Sequence, residues 1–157
     1  MTENQQKVLF RFHSAILAEE ITETMWSDII DAEKGIYKLD NIPFFGPLIA
    51  TDDIFYAKYD EKEGAIVYEE TIATSGNSII QFVILNDNFD HAIIREKLNE
   101  MDCVSEVLNE RYFVAEIKKG CDYSVVKQFL NEYSELGILD FAEPCLSKKH
   151  SDDLLKQ

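Results

Sequence analysis

Asp52 and Asp53 stand side by side in the stretch YKLDNIPFFGPLIATDDI, residues 37 to 54. Adjacent carboxylates invite a shared-proton reading, in which one acid donates while the other accepts. Neighbours in an extended strand point to opposite faces, however, so such a pair would not share a proton. One aspartate therefore reads as the residue that opens a strand and the other as solvated, and both belong to the surface. The three histidines are His13, His91 and His150, and none has a ligand-like partner at i+2 or i+4 in a fixed element. His91 near a helix start and His150 near the C-terminus read as solvent-facing. Cys103, Cys121 and Cys145 are widely spaced and form no C-x-x-C pair, so they read as buried or partly buried free thiols. SGNS at 75–78 holds two serines, but a lone Ser-Gly signals a turn before it signals a nucleophile. The chain has no G-x-G-x-x-G, no P-loop and no G-x-S-x-G. The expectation is a protein with no catalytic residue, no metal and no cofactor. An enzymatic alternative would set His13 beside Asp52 or Asp53 in a concave pocket.

Charge is the strongest global signal. Thirty acids face fifteen bases in 157 residues, a formal net charge of −15. Up to residue 80 the chain carries fifteen acids and six bases; the remainder carries fifteen and nine. The surplus is thus a property of a folded surface and not of a tail. Such a field repels nucleic-acid phosphates and anionic lipid headgroups and attracts a basic protein. Apolar residues make up 46%, enough for a core, and no apolar run approaches the ~18 residues of a membrane span. The polar start MTENQQK lacks the apolar region of a secretory signal, so a cytoplasmic protein is expected.

KVLFRFH (7–13) alternates as a half-buried strand. EEITETMWSDIIDAEKG (19–35) shows a different spacing: Ile21, Met25, Trp26, Ile29 and Ile30 make a helical stripe, with acids in the first turn and Gly35 as C-cap. The outer face of this predicted helix carries Glu20, Glu23 and Asp31. IYKLD reads as a short strand. Pro43 and Pro47 set turns while Phe44 and Phe45 plug the β-rich lobe; the functional alternative is an exposed aromatic anchor. Strands at 53–60 and 65–73 flank the hairpin loop EKEG, whose tip carries Asp60, Glu61 and Glu63.

From residue 78 the order is strand, helix capped by Asp90, two strands, helix capped by Asp122 and ended at Gly137, then a strand. That β-α-β-β-α-β order is the ferredoxin-like plan. The fold class is therefore α+β: a β-rich lobe with one helix over 1–77, a ferredoxin-like sandwich over 78–147, and a polar, frayed tail over 148–157. RYFVAEI (111–117) sits where RNA-recognition domains keep a stacking motif, but Tyr112 replaces the required glycine and the charge is wrong.

VLFRF, Trp26, YKLDNIPFF, Asp53 ahead of a strand and TSGNS recur in one order over residues 7–85. In this the first half resembles an uncharacterised bacterial domain family, some members of which look like immunity proteins found beside toxins. Its pattern continues after Ser-Gly with a histidine, where this chain has Asn77. The resemblance implies no particular reaction. Together with the charge it leads to an acidic, non-enzymatic immunity protein that occludes a basic toxin surface. Glu20, Glu23, Asp31, Asp52, Asp60, Glu61 and Glu63 are the expected partner-binding residues. The alternative is a ferredoxin-like small-molecule sensor, which would be a homodimer.

Overall fold

The computed structural model describes residues 4–14, 18–45 and 48–156. The chain divides into two compact units, Met1–Ser75 and Gly76–Gln157. Pro47, expected to set a turn, lies outside the described residues.

The first unit is a closed barrel of five strands: β1 (Gln5–Ser14), β2 (Glu19–Asp31), β3 (Ile36–Leu39), β4 (Ile54–Asp60) and β5 (Ala65–Ala73). Neighbours pair antiparallel, and a parallel pairing at Leu9 and Val67 closes the ring. Alternate residues of these strands point inward, so Val8, Phe10, Met25, Tyr37, Leu39, Phe55 and Ala57 build the core. Its centre is aromatic: the Phe10 ring stacks on Tyr68 at 5.1 Å and meets Phe55 edge-on at 5.3 Å.

The helix expected over 19–35 is a strand. Ile21, Met25 and Ile29 are four residues apart, a spacing that satisfies a helical stripe and a two-residue alternation equally well. The inward positions between them are Glu23 and Ser27, whose polarity hid the alternation. The β-branched and aromatic content (Ile21, Thr22, Thr24, Trp26, Ile29, Ile30) favours the strand, and ten pairs with β1 complete its ladder. Gly35 is accordingly a hairpin residue and not a helix cap. It has φ of +73°, and a Cβ there would stand 2.5 Å from the Ala57 carbonyl oxygen.

The second unit runs β6 (Ser78–Ile84), α1 (His91–Glu100), β7 (Cys103–Val107), β8 (Tyr112–Ile117), α2 (Tyr123–Glu135), β9 (Leu139–Cys145) and α3 (Lys148–Leu154). Its sheet is antiparallel throughout, in the order β7-β8-β6-β9. One sheet face supplies Ile80, Phe82, Ile84, Phe113, Ala115 and Ile117 to a core completed by Ile94 and Leu98 of α1 and Val126 and Leu130 of α2. Ile93 and Val125 are exposed. Asp90 and Asp122 cap the two helices through the N–H groups of Ala92 and Ser124.

The tail expected to fray is instead helix α3 from Lys148 to Leu154. Ser147 caps it by accepting from the His150 N–H, and Leu154 packs against the core. His150, read as solvent-facing, is completely buried. Ser147 with an apolar residue on either side of the polar run was the available signal. Among the described residues, no helix is long and apolar enough to cross a membrane.

Candidate functional site

The segment between β3 and β4 is held against the barrel by two carboxylates. Glu23 accepts the consecutive N–H groups of Phe44 (2.7 Å) and Phe45 (3.1 Å). Asp53 accepts from Ala50 N–H through Oδ2 (2.9 Å) and from Ser75 N–H through Oδ1 (2.8 Å). Further stitches run from Trp26 N–H to Asn41 Oδ1 (3.2 Å), from Asp40 N–H to the Trp26 carbonyl (3.0 Å), and from the Ser75 hydroxyl to the Thr51 carbonyl (2.8 Å). A segment with no ladder of its own must place its polar backbone somewhere, and here it does so on acid side chains.

Asp53 is only 2% exposed, so the expectation that both aspartates lie at the surface is corrected. Its inward aim follows from β4 alternation, and its two backbone donors compensate its burial. Asp52 is exposed with φ of +69°. The two carboxylates therefore occupy different environments and do not form a dyad. Phe44 is half-buried and Pro43 is buried. Phe45 is 40% exposed and Leu48 is 78% exposed, so this end of the barrel presents apolar side chains to solvent.

Glu20, Glu23 and Asp31, expected on one helix face, lie along strand β2 instead. Glu23 lies on β2 against the segment before β4, and Asp52 lies within that segment. Asp60, Glu61 and Glu63 follow β4, about 20 Å further along a seven-residue strand. Glu20 is exposed on β2 opposite His13, and Asp31 accepts from the Lys34 N–H (3.1 Å) in the β2–β3 turn. At the hairpin, Asp60 accepts from the N–H groups of Lys62 (2.8 Å) and Glu63 (3.3 Å). These bonds hold its carboxyl below the usual carboxylate range. Arg11 pairs with Glu63 at 3.0 Å and with Asp60 at 3.4 Å.

In the second unit, Ser78 Oγ lies 2.6 Å from His150 Nδ1, and His150 Nε2 lies 2.9 Å from the Lys118 carbonyl. A neutral ring that donates from Nε2 to that carbonyl must accept at Nδ1, so the Ser78 hydroxyl donates. This copies the serine–histidine–acceptor order of a nucleophile and its base, yet Ser78 and His150 are both 0% exposed. Ser78 Oγ also accepts from Ser147 N–H (2.8 Å), which makes the pair a clamp on α3. Burial holds the imidazole below its usual range, and the Lys149 charge adds to that. Beside the clamp, Asp153 binds Lys149 Nζ (2.8 Å) and the Tyr123 N–H (3.0 Å). The Tyr123 hydroxyl donates to Glu143, which also binds Lys127 Nζ (3.0 Å). Burial, then Glu143, raises the Tyr123 phenol. No group of three or more potential metal ligands converges among the described residues. Asn77, standing where the resembling family has histidine, accepts from the Lys119 N–H (2.9 Å).

No curated protein matches the chain. Among solved structures it is similar to one described as "Novel crystal structure of a hypothetical protein from Neisseria gonorrhoeae". The two are 23% identical over 94% of this chain and 99% of that one, with a TM-score of 0.79. At that identity the likeness carries the fold alone. The model of the family described as Domain of unknown function (DUF4265) matches residues 23–141, from the carboxylate that holds Phe44 and Phe45 into β9. The chain belongs to the DUF4265 family.

Proposed function

We propose that the chain is a non-enzymatic binding protein that captures a basic protein partner, in the manner of an immunity protein that occludes the active-site surface of a cognate bacterial toxin. The observation that carries this reading is how the barrel's acids are held. Asp31 and Asp53 are fixed by backbone N–H groups, and Asp28 and Asp40 by the Gln5 amide. The ion pairs of Arg11 go to Asp60 and Glu63 and not to these four acids. Neutral donors orient a carboxylate without cancelling its charge, so the negative field is preorganised and remains available to a cation. Close charge pairs across such an interface couple by ~1.5–7 kcal/mol, and steering raises on-rates to ~10⁸ M⁻¹s⁻¹ at low salt.

The docking surface assigned by this reading is the end of the barrel that displays Phe45 and Leu48 with Asp52. Apolar anchors surrounded by charge suit a desolvated centre with a polar rim. The partner is a basic protein domain met in the cytoplasm, and neither nucleic acid nor membrane suits the charge. The ferredoxin-like reading of the second unit is supported by its antiparallel order β7-β8-β6-β9.

The test is whether a toxin domain is encoded beside this chain and, if so, whether the chain binds it, measured across a salt series. Affinity should fall steeply with salt. Phe45→Ala with Leu48→Ala should cost about 2 kcal/mol or more, while neutralising Glu61 at the far hairpin should mainly slow association. Salt-insensitive binding, or full affinity in the double variant, overturns the reading.

A second reading, the small-molecule sensor, is favoured by one feature. An open cleft of about 550 Å³ is lined by Met101, Asp102, Lys118, Cys121, Asp122 and Val126. It predicts a homodimer whose melting temperature rises with a metabolite, whereas the toxin-binding reading predicts no such rise.

A further inference from the structure

The cysteines expected to be free thiols include two that share one acceptor. Cys103 opens β7 and is 1% exposed, while Cys121 sits half-buried between β8 and α2 and lines the cleft just described. Both sulfurs donate to the same Met101 carbonyl oxygen, at 3.6 Å from Cys103 and 3.3 Å from Cys121, so one acceptor gathers the two thiols. Cys103 is the first residue of β7, paired with Ile117, and Cys121 lies in the β8–α2 connection. Cys121 closes a turn by donating its N–H to the Lys118 carbonyl (2.9 Å), and Cys103 follows Asp102, whose φ is +61°. The third cysteine, Cys145, ends β9.

We propose that Cys103 and Cys121 are a redox-active dithiol, a modification site at which a peroxide converts the pair to an intramolecular disulfide that ties the α1–β7 connection to the β8–α2 connection at the cleft wall. The site is independent of the toxin-binding reading. Cys121 faces the cleft and is the residue that meets the oxidant. Its sulfur attacks one peroxide oxygen and the O–O bond breaks. The products are a sulfenic acid at Cys121 and one water, which takes the thiol proton. Cys103 then attacks the sulfenyl sulfur, the S–S bond forms, the S–O bond breaks, and the hydroxyl leaves with the Cys103 proton as a second water. Two thiols lose two electrons and two protons, and hydrogen peroxide is reduced to two waters.

Burial pushes the Cys103 thiol up to about 12, and the neighbouring Cys121 adds to the effect. Cys103 is thus held protonated at neutral pH, which makes the second step the slow one, because the thiolate is the attacking species. The sulfenic acid should accumulate at Cys121 before the disulfide appears, and closure should quicken as pH rises.

The full chain is treated with hydrogen peroxide, quenched at intervals with dimedone, and mapped as non-reduced peptides by mass spectrometry. The expected result is an early dimedone adduct on Cys121 that gives way to a single Cys103–Cys121 crosslink, unchanged in Cys145→Ser. In Cys103→Ala the adduct should persist without a crosslink. The wild-type time course stands by itself if that variant fails to fold. No crosslink in the wild type, a crosslink through Cys145, or a first adduct on Cys103 overturns the proposal.

Discussion

His150→Ala is the sharpest test of how the second unit is held together. The imidazole is completely buried, and it meets Ser78 Oγ at 2.6 Å, Ser147 Oγ at 3.1 Å and the Lys118 carbonyl at 2.9 Å. Removing the ring leaves the Ser78 hydroxyl proton without its acceptor and the Lys118 carbonyl without this donor. Each orphaned buried group costs about 1–3 kcal/mol, and the void left by the ring adds to that. Ser78 keeps its bond from Ser147 N–H, so the sum falls at about 3–5 kcal/mol and not at the top of the range. Among the described residues all three helices lie in the second unit, so far-UV circular dichroism in the helical band follows it through a urea titration. The single tryptophan, Trp26, lies in the barrel, and its fluorescence follows that unit separately. The expected result is a large fall in the dichroism midpoint. A loss under about 1 kcal/mol would refute the clamp, because an isolated buried imidazole cannot be removed that cheaply. A pH arm sharpens the test. The folded imidazole titrates below its ordinary 6.5, so the unfolded chain takes up the proton first on acidification. Its contribution is fully present above pH 6.5 and is lost as pH falls toward the folded value. His150→Gln should flatten that part of the stability profile while leaving a further loss below pH 3.8, where Asp153, held low first by Lys149, takes up its proton.

Three more perturbations probe the barrel. Ser27 Oγ is buried and finds no partner among the described residues, so Ser27→Ala should stabilise the barrel by about 1 kcal/mol; a lower midpoint of Trp26 fluorescence would count against this. Glu23→Ala removes the acceptor for two consecutive amides at a half-buried position, a loss of about 2 kcal/mol, and hydrogen exchange at Phe44 and Phe45 should quicken by roughly thirtyfold. Unchanged exchange would show that the segment is held by other means. Gly35→Ala forces a Cβ to within 2.5 Å of the Ala57 carbonyl at φ of +73°, so the hairpin must shift and the fluorescence midpoint should drop by about 2 kcal/mol or more; a neutral result would mean that the turn relaxes freely.

The second unit was legible in the sequence because its signals agree. Asp90 and Asp122 stand where caps belong, the apolar spacing changes from two to nearly four at those residues, and Gly137 closes α2 with φ of +74°. In β2 the signals conflict. An inward strand position normally holds an apolar side chain, and Glu23 and Ser27 break that rule for different reasons. Glu23 serves a segment twenty residues away, a debt that no local window displays. Ser27 serves no partner that the described residues show. With those two positions polar, Ile21, Met25 and Ile29 remain, and their spacing suits a helix equally well. His150 was missed for a related cause: a histidine in a polar run looks solvated unless the buried serine and carbonyl that hold it, 72 and 32 residues away, are known.

The same long-range logic bears on what the resemblance motifs do. Trp26, Asn41, Phe44, Phe45, Asp53 and Ser75 are scattered over fifty residues of sequence, yet backbone bonds gather them around one segment of the barrel. Each serves to fix backbone, and none presents a nucleophile or a metal ligand to solvent. A segment fixed so firmly can carry Phe45 and Leu48 outward without folding them back into the core. Side chains that are already ordered lose less entropy when a partner covers them, which is the advantage a preorganised surface has over a loose one. If the chain captures a basic partner as proposed, loosening the segment with Glu23→Ala, while leaving Phe45 and Leu48 in place, should weaken that capture through entropy as well as charge. Glu23→Gln separates the two, because it removes the charge and keeps one oxygen to accept an amide. If the glutamine variant binds as poorly as the alanine variant, charge governs capture; if it binds nearly as well as the native chain, rigidity does.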